Sequence, residues 1–253
     1  MKFTTYIFCA ILMLITTLSI LWYRAPFFNG EWNKQTLYVG LLDALYGASK
    51  DDRPYALWTD DDSGTGVFEV MKIAKEIGIR PCFGVIADRM AREVADSLAT
   101  WQQQGKANIV LHGLRHERWT DWSEEQIEDN IRQSRQRLHE QGFDTARILK
   151  MVIPPHSCNT RTIRNAIQKQ GYQMISGASL INPDRHVFLL GRIAITPQTD
   201  ISQLRLLLQK AFKRKCFVIF STHSSTTEWF SSEKTQEALR IAKEIGFEFD
   251  ISK

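Results

Sequence analysis

The stretch Tyr55-Ala56-Leu57-Trp58-Thr59-Asp60-Asp61-Asp62-Ser63-Gly64 decides the fold class. Its first five residues have the near-continuous apolar character of a strand buried on both faces, as the strands of parallel sheets are. The run breaks off in three adjacent carboxylates and a Ser-Gly turn. Carboxylates crowded in this way repel one another, so without a cation their pKa values rise or stability falls. The plainer alternative is an acidic turn in which Asp62 or Ser63 caps a helix starting at Thr65.

Outward from this stretch, apolar runs of strand length recur at residues 79–86, 108–111, 148–153, 172–175, 187–195, 216–220 and 247–251. Helical patterns separate most of them. Val67, Val70, Met71, Ala74 and Ile77 form one amphipathic stripe, and Ile127, Ile131 and Leu138 mark another on a charged helix that begins near Ser123. Ser123 followed by Gln126 fits a capping box. The hexapeptide Ile-Ala-Lys-Glu-Ile-Gly occurs at residues 73–78 and again at 241–246, each time as a helix end, a glycine cap and then an apolar run. Strands alternating with helices predict an α/β fold with a parallel sheet, open or closed into a barrel, whose chemistry sits at the carboxyl ends of the strands.

Of the 253 residues, 43% are hydrophobic and 24% charged, which disfavours collagen-like, disordered and coiled-coil chains. A net charge of +4 is too small a surplus to argue for nucleic acid as a partner. Cys9, Cys82, Cys158 and Cys216 form no CxxC pair, so a disulfide scaffold and a thiolate zinc module are excluded. Any metal must therefore be held by histidine and carboxylate. Between Lys2 and Arg24 lie 21 uncharged residues, mostly apolar and ending in Trp22 and Tyr23. That length can span a bilayer, and no small-residue cleavage site follows. The expectation is an uncleaved signal anchor over residues 1–24, a linker and N-terminal extension over 25–54 and one domain over 55–253 outside the cytoplasm. A cleaved signal peptide and a buried core helix are the alternatives.

Three further features fall at strand ends. His112-Gly113-Leu114-Arg115-His116 places two imidazoles at i, i+4, which with a carboxylate suits a divalent ion such as zinc and leaves a coordination position open for water. His223, in Phe220-Ser221-Thr222-His223-Ser224, is a candidate general acid. Pro154 and Pro155 stiffen a turn that places His156 nearby.

In this order the pieces resemble the polysaccharide deacetylase family, the NodB homology domain of carbohydrate esterase family 4. Leu57 to Gly64 looks like its first motif, Leu111 to Glu117 its second, Met151 to Ser157 its third and Val218 to Ser224 its last. The resemblance runs from about Tyr55 to the C-terminus. It implies a distorted (β/α) barrel that hydrolyses N-acetyl, sometimes O-acetyl, groups of a sugar polymer with a divalent metal, zinc first and cobalt or nickel as alternatives. Carried over by position, Asp60 is the general base, Asp61 the metal carboxylate, His112 and His116 the metal imidazoles and His223 the general acid. Pro155 and His156 lie at the turn whose backbone N–H contributes to the oxyanion site. Asp61 and Asp62 could hold the first two roles instead, although strand alternation from Leu57 through Thr59 favours Asp60 and Asp61.

The chain departs from the family pattern in three places. Ile153 stands where an arginine usually orients the base, with only Lys150 or Arg147 nearby; no Asp-Trp motif follows Tyr172; and Gly113 replaces the usual Ser or Thr. The expectation is a divergent, membrane-tethered deacetylase acting on an acetylated glycan. Its rivals are a catalytically silent glycan-binding relative, with Trp119, Trp122 and Trp229 offering stacking surface, and a metal-dependent amidase with a non-carbohydrate substrate.

Overall fold

The computed structural model describes residues 32–177 and 180–251. The apolar tract over residues 3–23, expected to be the anchor, lies outside the described residues. Among the described residues no helix is long and apolar enough to cross a membrane. Within the expected linker stands a helix, α1 (Trp32–Tyr46), which buries Val39 and Leu42 and leaves Leu41 and Leu45 exposed.

Strands and helices then alternate. β1 (Tyr55–Asp61) leads to α2 (Val67–Ile77), β2 (Cys82–Val85) to α3 (Arg92–Gln103) and β3 (Asn108–Leu111) to α4 (Glu124–Glu140). β4 (Met151–Val152) is followed by α5 (Arg161–Lys169), and β5 (Gln173–Ile175) by the short β6 (Leu189–Leu190) and β7 (Ile193–Ala194). α6 (Ile201–Lys213), β8 (Phe217–Thr222) and α7 (Ser232–Ile245) complete the fold, with α1 packed against α6. The eight strands form one parallel sheet in the order β6-β5-β4-β3-β2-β1-β8-β7. β1 is buried at every position, as its apolar sequence requires.

One face of the sheet encloses a core. Tyr55 and Leu57 of β1, Cys82 of β2, Val110 of β3, Met151 of β4, Ile175 of β5, Leu190 of β6 and Phe217 and Ile219 of β8 pack into a single cluster, joined by Ile153. Side chains from seven strands meet there because the sheet curls around them in the manner of a barrel. Local signals in the sequence fix several boundaries. Ser123 and Gln126 close the capping box at the start of α4, and both copies of the hexapeptide end in a left-handed glycine, Gly78 at φ 72° and Gly246 at φ 109°.

Two strand expectations are corrected. The run over residues 187–195 is not one strand but β6 and β7, separated by Gly191 and Arg192. The run over residues 247–251 forms only a bridge, Tyr55 to Glu248, in which Ala56 N–H donates to the Glu248 carbonyl. β1 is flanked by β8 along its length and by β2 from Thr59 onward, so only its first residues have an open edge for the last segment.

Candidate functional site

The site is the top layer of the inward face. Side chains alternate along a strand, so positions two residues beyond a core residue stay on its side. Asp61 continues the face of Leu57, His112 that of Val110, Ile153 that of Met151, Arg192 that of Leu190 and His223 that of Ile219. Gly84 continues that of Cys82 and contributes space. A side chain there would press on Ile153 Cδ1 at 3.0 Å and on Asp61 Oδ1 at 3.1 Å.

The same alternation sends Asp60 to the opposite face. There Asp60 Oδ1 accepts hydrogen bonds from Thr222 Oγ1 at 2.7 Å and Ser224 N at 2.9 Å, while Oδ2 accepts from Ser224 Oγ at 2.6 Å. Burial pushes its carboxyl up to about 7, against the hydrogen bonds from Ser224 and Thr222 that favour the charged form. Asp62 lies one residue past β1, where the chain turns left-handed at Asp62 (φ 73°) and Ser63 (φ 44°). Ser63 Oγ holds this turn by donating to the Gly84 carbonyl at 3.0 Å. The turn releases Asp62 from strand alternation and brings it back over the site.

Asp62 Oδ1 stands 3.3 Å from His112 Nε2 and 3.5 Å from His116 Nε2, and the two imidazole nitrogens are 3.2 Å apart. His112 Nδ1 is 2.8 Å from the Ile153 carbonyl, which can only accept, so Nδ1 carries the proton and Nε2 presents a lone pair to Asp62. Asp62 Oδ1 is buried without a hydrogen-bond partner. With His116 also protonated on Nδ1, three lone-pair atoms would face one point. These residues fit a divalent cation: a tetrahedral ion with bonds of about 2.0–2.1 Å keeps its donor atoms roughly 3.3 Å apart.

Without an ion, these groups set one another's charge. Burial opposes a charge on His112, but the neighbouring Asp62 and Asp61 carboxylates outweigh it and raise its pKa. His116 is pushed down to about 4 by burial and by His112. Asp62 is held at about 2 because His112, with His223 and His116, overcomes the burial that would raise it.

The loop that carries the imidazoles is built around Gly113. Its φ is 83°, and an added Cβ would stand 2.8 Å from Pro155 Cγ, so a Ser or Thr has no room there. Asn130 of α4 accepts the Leu114 N–H at 3.1 Å. Buried Trp119 and half-buried Trp122 stack beneath the loop, their ring centroids 6.3 Å apart. On the opposite side the Pro155–Ser157 turn brings His156, at φ 55°, against His116, with ring centroids 4.4 Å apart and Nε2 donating to the His116 carbonyl at 3.0 Å.

Arg192 was not among the residues expected at the site. Its Nη1 donates to Asp61 Oδ2 at 2.6 Å, and both side chains are buried. Burial alone would raise the Asp61 carboxyl; Arg192, with His112 and His223, overturns this and holds it below the ordinary carboxylate value. Asn182 fixes the preceding Gly191 by accepting its N–H at 2.7 Å and donating to its carbonyl at 2.9 Å. A charged residue interrupting the apolar run over residues 187–195, two positions past Leu190, was the available signal. His223 Nε2 lies 3.6 Å from the same Asp61 Oδ2, and Asp61 Oδ1 is buried without a partner.

Of the expected residues, His112, His116 and His223 converge, with Pro155 and His156 at the rim. The correction concerns the aspartates. The carboxylate grouped with the imidazoles is that of Asp62, not Asp61. Asp61 occupies the adjoining position and Asp60 faces away. Consecutive strand residues cannot both point inward, so the inward pair needs one residue on the strand and one beyond it.

The polysaccharide deacetylase family pattern matches residues 47–175. Solved structures of similar fold include the chitin deacetylase from the fungal pathogen Colletotrichum lindemuthianum, 17% identical, covering 79% of this chain and 85% of that one with a TM-score of 0.59. A family 4 acetyl xylan esterase from Clostridium thermocellum in complex with a cobalt ion is 16% identical, with coverage of 77% and 86% and a TM-score of 0.55. A family 4 pseudoenzyme from Bacillus anthracis is 12% identical, with coverage of 78% and 63% and a TM-score of 0.51. A mutant of that pseudoenzyme has restored enzymatic activity. At these identities the likeness is one of fold. No curated protein matches.

Proposed function

Because this chain belongs to the polysaccharide deacetylase family, we propose that it is a metal-dependent hydrolase removing acetyl groups, N-acetyl first, from a cell-envelope or exported polysaccharide. The observation that carries the proposal is the convergence of Asp61, Asp62, His112, His116, Arg192 and His223 on one layer at the carboxyl ends of the strands. The fungal chitin deacetylase and the acetyl xylan esterase of similar fold support an acetylated glycan as substrate.

Asp62, His112 and His116 would hold the cation, zinc in the first place with cobalt or nickel as alternatives. When bound, such an ion supplies a Lewis acid that polarises the acetyl carbonyl and acidifies water. Asp61 is the general base. Arg192 occupies its Oδ2 and keeps the carboxyl ionised, so the unpartnered Oδ1 is the atom that accepts a proton from the attacking water. His223 is the proton donor to the departing sugar nitrogen; its partly exposed imidazole stands beside Asp61. A backbone N–H near the Pro154–Pro155 turn would stabilise the carbonyl oxygen as negative charge develops, as the family resemblance implies.

We further propose that the uncharged tract between Lys2 and Arg24 tethers the domain to a membrane with the site outside the cytoplasm, on the length and apolarity of that tract. The test of function is acetate release by the detergent-solubilised full chain from a panel of N-acetylated and O-acetylated glycans, alongside its metal content. Turnover that disappears on chelation and returns with zinc is the expected result. A protein that takes up metal and binds glycan yet releases no acetate would instead be a silent relative.

A further inference from the structure

Asp60 has no part in the proposed chemistry, yet it is fully buried and its two oxygens accept three hydrogen bonds. All three come from the residues on either side of His223: the Thr222 hydroxyl, the Ser224 N–H and the Ser224 hydroxyl. The His223 ring is held more loosely. Its side chain is 37% exposed, and its Nε2 lies 3.6 Å from Asp61 Oδ2, beyond hydrogen-bond distance. The place of the imidazole therefore depends on the backbone that carries it.

The turn after β1 is shaped to receive that backbone. A Cβ on Gly66 would stand 2.2 Å from the Ser224 carbonyl oxygen and 2.4 Å from its Oγ, and one on Gly64 would stand 3.2 Å from Ser225 Cβ. Two glycines thus let the loop after β8 sit against the start of α2. Trp58 Nε1 adds a hydrogen bond to Thr222 Oγ1 at 3.0 Å from the same outward face as Asp60.

We infer that Asp60 is a positioning residue for His223: by bonding the residues on both sides of it, Asp60 holds the proton donor in register with Asp61. The two neighbouring aspartates of β1 then divide the work, one facing inward as the base and one facing outward to fix the strand end that presents the acid. This rests on the reading of His223 as the proton donor.

The test separates leaving groups. An amide of a chitin oligomer expels an amine that must be protonated, whereas 4-nitrophenyl acetate expels a phenolate that needs no proton. His223→Ala is expected to lose roughly 100-fold or more in kcat on the oligomer and Asp60→Ala roughly 10- to 100-fold. In both, KM and nitrophenyl ester cleavage should stay within about threefold. Asp60→Asn should retain oligomer turnover, because its amide can still accept from Thr222 and the Ser224 N–H. Parallel loss on both substrates in Asp60→Ala, or loss on neither, overturns the inference. Should Asp60→Ala fail to fold, Thr222→Val with Ser224→Ala removes the two hydroxyl donors from the other side, leaving only the Ser224 N–H, and is expected to give the same split in weaker form. If the wild type cleaves neither substrate, the hydrolase reading fails; if His223→Ala spares the oligomer, it is the assignment of His223 as proton donor that fails. The clamp is then judged by hydrogen exchange over residues 220–226. Faster exchange in Asp60→Ala but not Asp60→Asn supports it, and unchanged exchange in Asp60→Ala refutes it.

Discussion

Arg192 Nη1 and Asp61 Oδ2 meet at 2.6 Å across 131 residues of chain, both buried. The guanidinium reaches Asp61 from the β6–β7 connection, while Ile153, where the family usually has its arginine, and the other oxygen of the same carboxylate both lie beside Gly84. Removing one partner of a buried ion pair strands the other, at a cost on the order of 3–5 kcal/mol. We expect Arg192→Ala to lose stability on that scale in chemical denaturation. Its kcat should fall roughly 10- to 100-fold. Without the guanidinium the Asp61 carboxyl rises, so the acid limb of the kcat profile should move to higher pH. Adding Ile153→Arg to Arg192→Ala should recover part of the activity; if that double variant is no better than the single one, the two positions are not interchangeable.

Asp60 and Asp61 are neighbours in sequence and opposites in the fold, and their asparagine variants should differ accordingly. Asp61→Asn removes the base but leaves the donors of Asp62, His112 and His116, so acetate release should fall by roughly 10²-fold or more while zinc binding by calorimetry persists. Asp60→Asn should keep most of its turnover. The reverse pattern would assign the base to Asp60.

The buried Asp60 also predicts a pH dependence of stability in the metal-free protein. Its folded carboxyl titrates at about 7 against an ordinary value of 3.8. The folded state therefore holds this proton more tightly than the unfolded chain. That contribution is fully present below about pH 4 and is lost as the pH rises through about 7. Above about pH 8 the difference should stop changing, whereas between pH 4 and 7 the denaturation midpoint of the wild type should fall relative to that of Asp60→Asn, which cannot ionise. A constant offset across that range would contradict a raised Asp60 pKa.

Gly113 combines a φ of 83° with 2.8 Å of clearance between an added Cβ and Pro155 Cγ. Gly113→Ala must therefore strain the backbone and displace the turn that carries His156. We expect a loss of about 1–3 kcal/mol and weaker metal binding, measured by thermal denaturation and by zinc titration. Wild-type affinity in this variant would mean that the imidazole loop adjusts freely.

Metal removal offers a direct check on the donor set. A ligand that binds only the folded protein raises its stability as concentration exceeds Kd, so zinc should raise the melting temperature of the chelated protein. The rise should be lost in Asp62→Ala and in His112→Ala but kept in Asp60→Asn. His112 should matter more than His116, since it is the more buried ring and its Nδ1 is anchored on Ile153. Dependence on Asp61 rather than Asp62 would restore the register expected from strand alternation.

By itself the sequence determined the alternation of strands and helices over most of the domain, the parallel sheet, the capping box of α4, the two glycine caps and the location of His112, His116 and His223 at strand ends. Each of these follows from local chemistry: apolar periodicity, a cap within one turn, a left-handed glycine. Only the tertiary structure decided which aspartate joins the imidazoles, because alternation is a rule for extended chain and it lapses where Asp62 and Ser63 turn left-handed. It likewise decided that Arg192 serves Asp61, and that residues 247–251 find only the first residues of β1 open to them. Those outcomes depend on which strands become neighbours when the sheet curls, and no window of sequence contains both members of such a pair.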